Sequence, residues 1–147
     1  MIIHTSRFGE LDIQEQEVIR FEQGIPGFED LRRFVLIEVP DHEPFSYLQC
    51  IDDSEVSFIV TDPFEFFADF ECELPVPVVE DLKIVSAEQV LVRAIVSIHG
   101  ELESATANLV APVIINRAER TGKQVVLAKT SYATRHALFQ PSESESK

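Results

Sequence analysis

FFADFECEL, residues 66–74, sets the reading of the fold. Phe66, Ala68, Phe70, Cys72 and Leu74 alternate with Phe67, Asp69, Glu71 and Glu73, so an extended backbone would carry one apolar face and one face with three carboxylates. A period of two predicts a half-exposed strand of an antiparallel sheet. VLVRAIVSIH, residues 90–99, repeats the pattern: Val90, Val92, Ala94, Val96 and Ile98 share one side, while Leu91, Arg93, Ile95, Ser97 and His99 share a second, only partly polar side. Outward from these two runs, further strands are expected at Ile2–Thr5, Leu11–Ile13, Val18–Phe21, Phe34–Val39, Phe45–Ile51, Ser57–Thr61, Val113–Asn116 and Gln124–Leu127. About ten short strands imply an all-β fold whose sheet curls or closes. Helix is limited to Val78–Leu82, after Pro75 and Pro77, and to one turn where Ser86 and Gln89 have capping-box spacing.

A chain of 147 residues, 45% of them hydrophobic, fits one domain with a continuous core. Eleven phenylalanines, two tyrosines and no tryptophan make Phe, with Val, Ile and Leu, the core material. We expect a domain over 1–140 and a disordered polar tail, PSESESK, over 141–147. Twenty-six acidic against 12 basic residues give a formal charge of −14, and the excess is lopsided. Residues 1–75 hold 18 acidic and 4 basic side chains, whereas residues 76–147 hold 8 of each. This charge repels nucleic-acid phosphates and anionic lipid and favours a basic partner, so neither direct nucleic-acid nor membrane binding is expected. MIIHTSRFGELDIQ lacks the basic and long apolar regions of a signal peptide, and no window approaches the ~18 apolar residues of a membrane span, which implies the cytoplasm. Cys50 and Cys72 are too far apart for a CxxC motif and read as reduced core residues.

Signals for chemistry are few. His4, His42, His99 and His136 lack metal-ligand spacing, and neither a GxSxG elbow, a P-loop nor a GxGxxG turn occurs. No cofactor and no metal is expected, and the chain reads as a non-enzyme. Asp52, Asp53 and Glu55, or Asp69 and Glu71, would serve acid–base work only if buried beside a cleft, and otherwise form a solvated acidic face.

FEQGIPGFED, residues 21–30, is the most constrained stretch. Pro26 suits position i+1 of a turn and Gly27 supplies the positive φ that a type II turn requires at i+2, with Phe21, Ile25 and Phe28 as apolar anchors. Asn108 and Asn116 bracket LVAPVII, in which Pro112 lacks an amide donor and belongs at a bulge or on an edge strand; both asparagines are carried as candidate partner contacts.

With FEQGIPGFED (21–30), PFSYLQ (44–49), DPFEFFADFE (62–71), SATANLVAPVIINR (104–117) and KQVVL (123–127), the chain resembles the FliW family of bacterial flagellar assembly factors over nearly its whole length. Phe70 and Cys72 stand where the family often has Tyr and Phe, a difference of core packing. The resemblance implies a β-barrel-like monomer that binds two proteins. One is flagellin, held in the cytoplasm before export; the other is CsrA, a basic RNA-binding translational repressor that such proteins antagonise. Flagellin then displaces CsrA in a partner switch that controls flagellin translation. The expected CsrA-binding surface is the carboxylate face Asp69, Glu71 and Glu73 with Phe67 as an apolar anchor among them. Two other classes stand beside this one. A small-ligand-binding barrel would need a cavity above ~300 Å³, and a carboxylate hydrolase would need two carboxylates facing one cleft ~5–9.5 Å apart.

Overall fold

The computed structural model describes residues 1–127 and 132–139. The strands among them are β1 (Ile2–Thr5), β2 (Gly9–Asp12), β3 (Ile19–Arg20), β4 (Arg33–Glu38), β5 (Phe45–Cys50) and β6 (Ser57–Thr61), then β7 (Val90–Ser97), β8 (Thr106–Ala107), β9 (Val113–Asn116), β10 (Thr121–Gln124) and β11 (His136–Ala137). Two short helices, α1 (Pro63–Phe66) and α2 (Val76–Asp81), lie between β6 and β7. The sheet runs β7-β6-β5-β4-β3-β10-β9, and β9 returns to β7 through Val90↔Asn116 to Arg93↔Val113. Seven strands thus close into a barrel, and the all-β expectation holds. Every rung of the ring is antiparallel except β3 on β10, which meet in parallel at the single pair Arg20↔Thr121.

The barrel is filled by the inward positions of its strands. Phe34 and Leu36 on β4, Leu48 and Cys50 on β5, Phe58 and Val60 on β6, Leu91 and Ile95 on β7, and Val113 and Ile115 on β9 meet Ile19, Phe21 and Ile25 in one cluster. Phe21 and Phe34 pack edge to face with ring centroids 5.1 Å apart. Each such buried side chain contributes about 1.5–3 kcal/mol relative to exposure. The β1–β2 hairpin covers the outside of β4, where Ile3 and Ile13 meet Val35.

A second core lies outside the barrel. Ala94 and Val96 of β7 pack with Phe70, Val78, Leu82, Leu109, Ile114, Val125 and Leu138, and Val90, Val92 and Ile98 border the same cluster. The fully apolar side of β7 therefore faces this flank, while Leu91, Arg93 and Ile95, the partly polar side, point into the barrel.

Strands β1 and β6 match their expected bounds, and β4, β5 and β7 end one or two residues earlier than their periodicity suggests. The type II geometry also appears: Phe28 N–H donates to the Ile25 carbonyl at 2.6 Å, and Gly27 has φ 90°. Ser86 and Gln89 form the anticipated capping box. Residues 66–74 are a correction. Apart from Phe66, the last residue of α1, they form no regular element. The strand expected at Gln124–Leu127 keeps only Gln124, because β10 starts at Thr121. The disordered tail expected at 141–147 lies outside the described residues.

Candidate protein-binding surface

The sequence DPFEFF builds one side of an acidic cleft. Asp62 caps α1 by accepting a hydrogen bond from the Phe64 amide at 2.9 Å, and Pro63 takes the first helical position, where no amide donor is needed. The single turn directs Phe66 inward, stacked on Phe45, and leaves Phe64 46% exposed beside Glu65. PFSYLQ builds the facing side, tied across when the Thr61 hydroxyl donates to the Pro44 carbonyl at 2.9 Å. Between them lies a cleft of about 430 Å³ lined by the carboxylates of Glu38, Glu43, Asp62 and Glu65, with Arg93 also on its wall. Four carboxylates around one guanidinium favour a cationic partner, while the exposed Phe64 packs edge to face on Phe70 with ring centroids 5.3 Å apart. Glu38, Glu43, Phe64 and Glu65 were missed as site residues from sequence; Phe64 and Glu65 lie in the singled-out DPFEFFADFE, whereas Glu38 and Glu43 lie in neither motif.

The expected carboxylate face follows directly on α1. Asp69, Glu71 and Glu73 are all exposed, as their alternation requires, yet the chain there pairs with no strand. The Phe70 amide closes a turn onto the Phe67 carbonyl, and the Glu71 amide donates to the Tyr132 hydroxyl at 2.8 Å. The turn breaks the phase: Ala68 is exposed, whereas Phe67 is half-buried against the second core and packs edge to face on His136, with ring centroids 5.9 Å apart. Phe67 is thus a core residue and does not stand among the carboxylates.

The asparagines are also corrected. Asn116 is fully buried; its amide donates to the carbonyls of Leu82 and Lys83, and its Oδ1 accepts the amides of Ala118 and Glu119. Both functional groups are consumed internally, which removes Asn116 from any docking surface. Asn108 is half-buried and accepts from the amides of Val110 and Ala111, shaping the loop before β9. Pro112 sits just ahead of β9, which is flanked by β7 and β10, so this stretch offers no sheet edge.

Cys50 and Cys72 are free thiols. Burial raises both, the Cys72 thiol to about 11. Burial also tends to raise Asp52, but hydrogen bonds from the Arg33 side chain and from the Arg33 and Arg32 amides outweigh it and hold the carboxyl below its ordinary range. A general acid needs the opposite shift. Among the described residues no group of three His, Cys, Asp or Glu side chains converges as a metal site, and no helix is long and apolar enough to cross a membrane.

A closed seven-stranded barrel with an external second core and an acidic cleft defines a compact β scaffold whose distinctive chemistry lies on its outer surface. The FliW protein family model matches residues 2–138. The flagellar assembly factor FliW of Moorella thermoacetica is 44% identical over 146 residues, covering 99% of this chain and 92% of that protein. The same-named protein of Alkaliphilus metalliredigens is 40% identical over 141 residues, covering 95% and 87%. A crystal structure of the flagellar assembly factor FliW superposes with a TM-score of 0.91 at 37% identity, covering 96% of this chain and 99% of that one. The chain belongs to the FliW family of flagellar assembly factors.

Proposed function

We propose that this chain acts in the cytoplasm, without catalysing a reaction, by binding flagellin and by binding and antagonising the RNA-binding repressor CsrA. Flagellar assembly requires flagellin supply to match export, and a binder shared between flagellin and the repressor of its translation performs that matching by mass action. The observation that carries this reading is the exposed carboxylate surface formed by Glu38, Glu43 and Glu65 at the cleft and continued by Asp69, Glu71 and Glu73, with Phe64 exposed among them. It suits a basic protein partner, because long-range attraction raises the encounter rate and the exposed Phe64 ring supplies contact area beside the carboxylates.

The test is a titration with purified CsrA and flagellin, read by CsrA binding to RNA. Addition of this chain should lower RNA binding, and excess flagellin should restore it. Glu43→Lys with Glu65→Lys should weaken CsrA association at least tenfold and flatten its salt dependence. Unchanged RNA binding would remove CsrA antagonism, and failure of flagellin to restore it would remove the switch. An unaltered affinity of the double variant would move the docking surface elsewhere.

The small-ligand barrel finds less support in this geometry. Phe21, Phe34, Leu48 and Ile115, at 0–1% exposure, occupy the barrel axis, and the 430 Å³ cleft opens outward.

A further inference from the structure

Beside the acidic cleft, and sharing Glu38 and Arg93 with it, the acidic chain carries a basic concavity whose other two arginines the proposed partner switch does not use. At one end of the barrel the inward alternation of β4 and β7 leaves the half-buried Leu36 and Leu91 as an apolar floor over the buried Ile115, and Arg93, Arg117 and Arg120 surround it in a mouth of about 320 Å³. Each guanidinium is oriented by a backbone carbonyl: Arg93 donates to Val92 at 2.8 Å, Arg120 to Glu17 at 2.7 Å, and Arg117 to Glu88. A carbonyl orients a guanidinium without neutralising it, and none of the three forms an ion pair with a described carboxylate. Glu38 is the one carboxylate of the lining, so the mouth retains a net positive charge.

Two further observations mark it as a built site. The Arg120 Nε is buried and has no hydrogen-bond partner among the described residues, an open donor at a lined concavity. Arg120 also holds φ 58°, a left-handed conformation that costs a non-glycine residue energy and that fixes where its side chain leaves the chain.

We infer that this mouth binds a carboxylate attached to an apolar group, the carboxylate received by the arginine donors and the apolar group lying on Leu36 and Leu91. Planar guanidinium forks match a carboxylate in two-point geometry. An apolar floor gives a bare inorganic anion nothing to gain, and Glu38 repels a dianion. One ligand chemistry has two sources, a short free acid or the C-terminal end of a peptide chain.

The experiment is an NMR titration of the ¹⁵N-labelled full chain at low salt. The probes are hexanoate, hexanamide, acetyl-Gly-Gly-Leu as free acid and as C-terminal amide, and inorganic phosphate. At least one of the two acids should saturate and shift the amides of residues 91–93 and 115–117, whereas its amide should not. A stronger response to hexanoate assigns the free acid, and a stronger response to the peptide acid assigns the chain end. Arg93→Gln should weaken the acid at least tenfold with an unchanged thermal midpoint. If that variant fails to fold, Arg117→Gln, at an exposed position, should show the same loss. Equal shifts from acid and amide, no saturable response to either acid, or phosphate binding as tightly as the acids, meaning an adventitious ion only, would each overturn the site.

Discussion

Asn116 shows how a residue that suggests docking in sequence becomes structural. Its four hydrogen bonds join the end of β9 to the turn after α2 and to the turn before β10. Asn116→Ala leaves those backbone groups buried and unpaired and should cost about 2–4 kcal/mol, measured by urea unfolding, whereas Asn108→Ala, at a half-buried turn, should cost about 1 kcal/mol. Asp52 makes a pH-dependent contribution. Arg33 Nε and Nη2 donate to its Oδ1 at 2.9 and 2.8 Å, and the Arg33 amide donates to Oδ2 at 3.1 Å. Its carboxyl is lowered from 3.8 on folding, so the stability it adds is present above that value and is lost as pH falls through the folded value. Asp52→Asn should therefore lower stability by about 1 kcal/mol at pH 7, the partly exposed pair being screened, and the difference from the parent should shrink as the pH falls below 3.8.

At the level of elements, the segment from Phe67 to Leu74 separates what periodicity encodes from what it does not. Alternation correctly places Phe70, Cys72 and Leu74 toward the core and Asp69, Glu71 and Glu73 toward water, because any extended chain lying on an apolar layer obeys it. Whether that chain gains strand partners depends on free sheet edges elsewhere, and β7 already has β6 on one edge and β9 and β8 on the other. With few backbone hydrogen bonds, the amides of Ala68, Asp69 and Glu73 should exchange with deuterium orders of magnitude faster than those of β5 and β7; equal protection would mean that the segment has a ladder partner after all. The same limit explains the rest of the comparison. β7, eight residues long, was legible because its period is long and unbroken, whereas β8 and β11, two residues each, are too short to carry a period and exist only by pairing with what lies beside them. The acidic cleft was half legible: DPFEFF announces a cap and a turn, but only the neighbouring of β5 and β6 brings it opposite PFSYLQ. The arginine mouth was hidden, since Arg93, Arg117 and Arg120 are brought together by the barrel, not by spacing.

At the scale of the whole molecule, the lopsided charge of the sequence becomes a lopsided solid. β3 to β6 are neighbours in the ring and come from the acidic half, while β7, β9 and β10 come from the neutral half. Every carboxylate of residues 1–75 is exposed except the half-buried Asp62, so one wall of the barrel carries the field. Salt should therefore slow association with a basic partner more than it speeds dissociation, and stopped-flow rates between 50 and 500 mM salt would show it; a salt effect confined to the dissociation rate would contradict a steering role. The parallel junction of β3 with β10 carries a different consequence, one of timing. Arg20 must wait for Thr121, about a hundred residues later, before the ring can shut. A nascent chain emerging from the ribosome can lay down the β3–β6 meander early but holds it as an open sheet with bare edges until β9 and β10 are synthesised. Chains truncated at residue 110 should accordingly aggregate, and the completed chain should refold in milliseconds to seconds, with the closing of the ring as its slowest step.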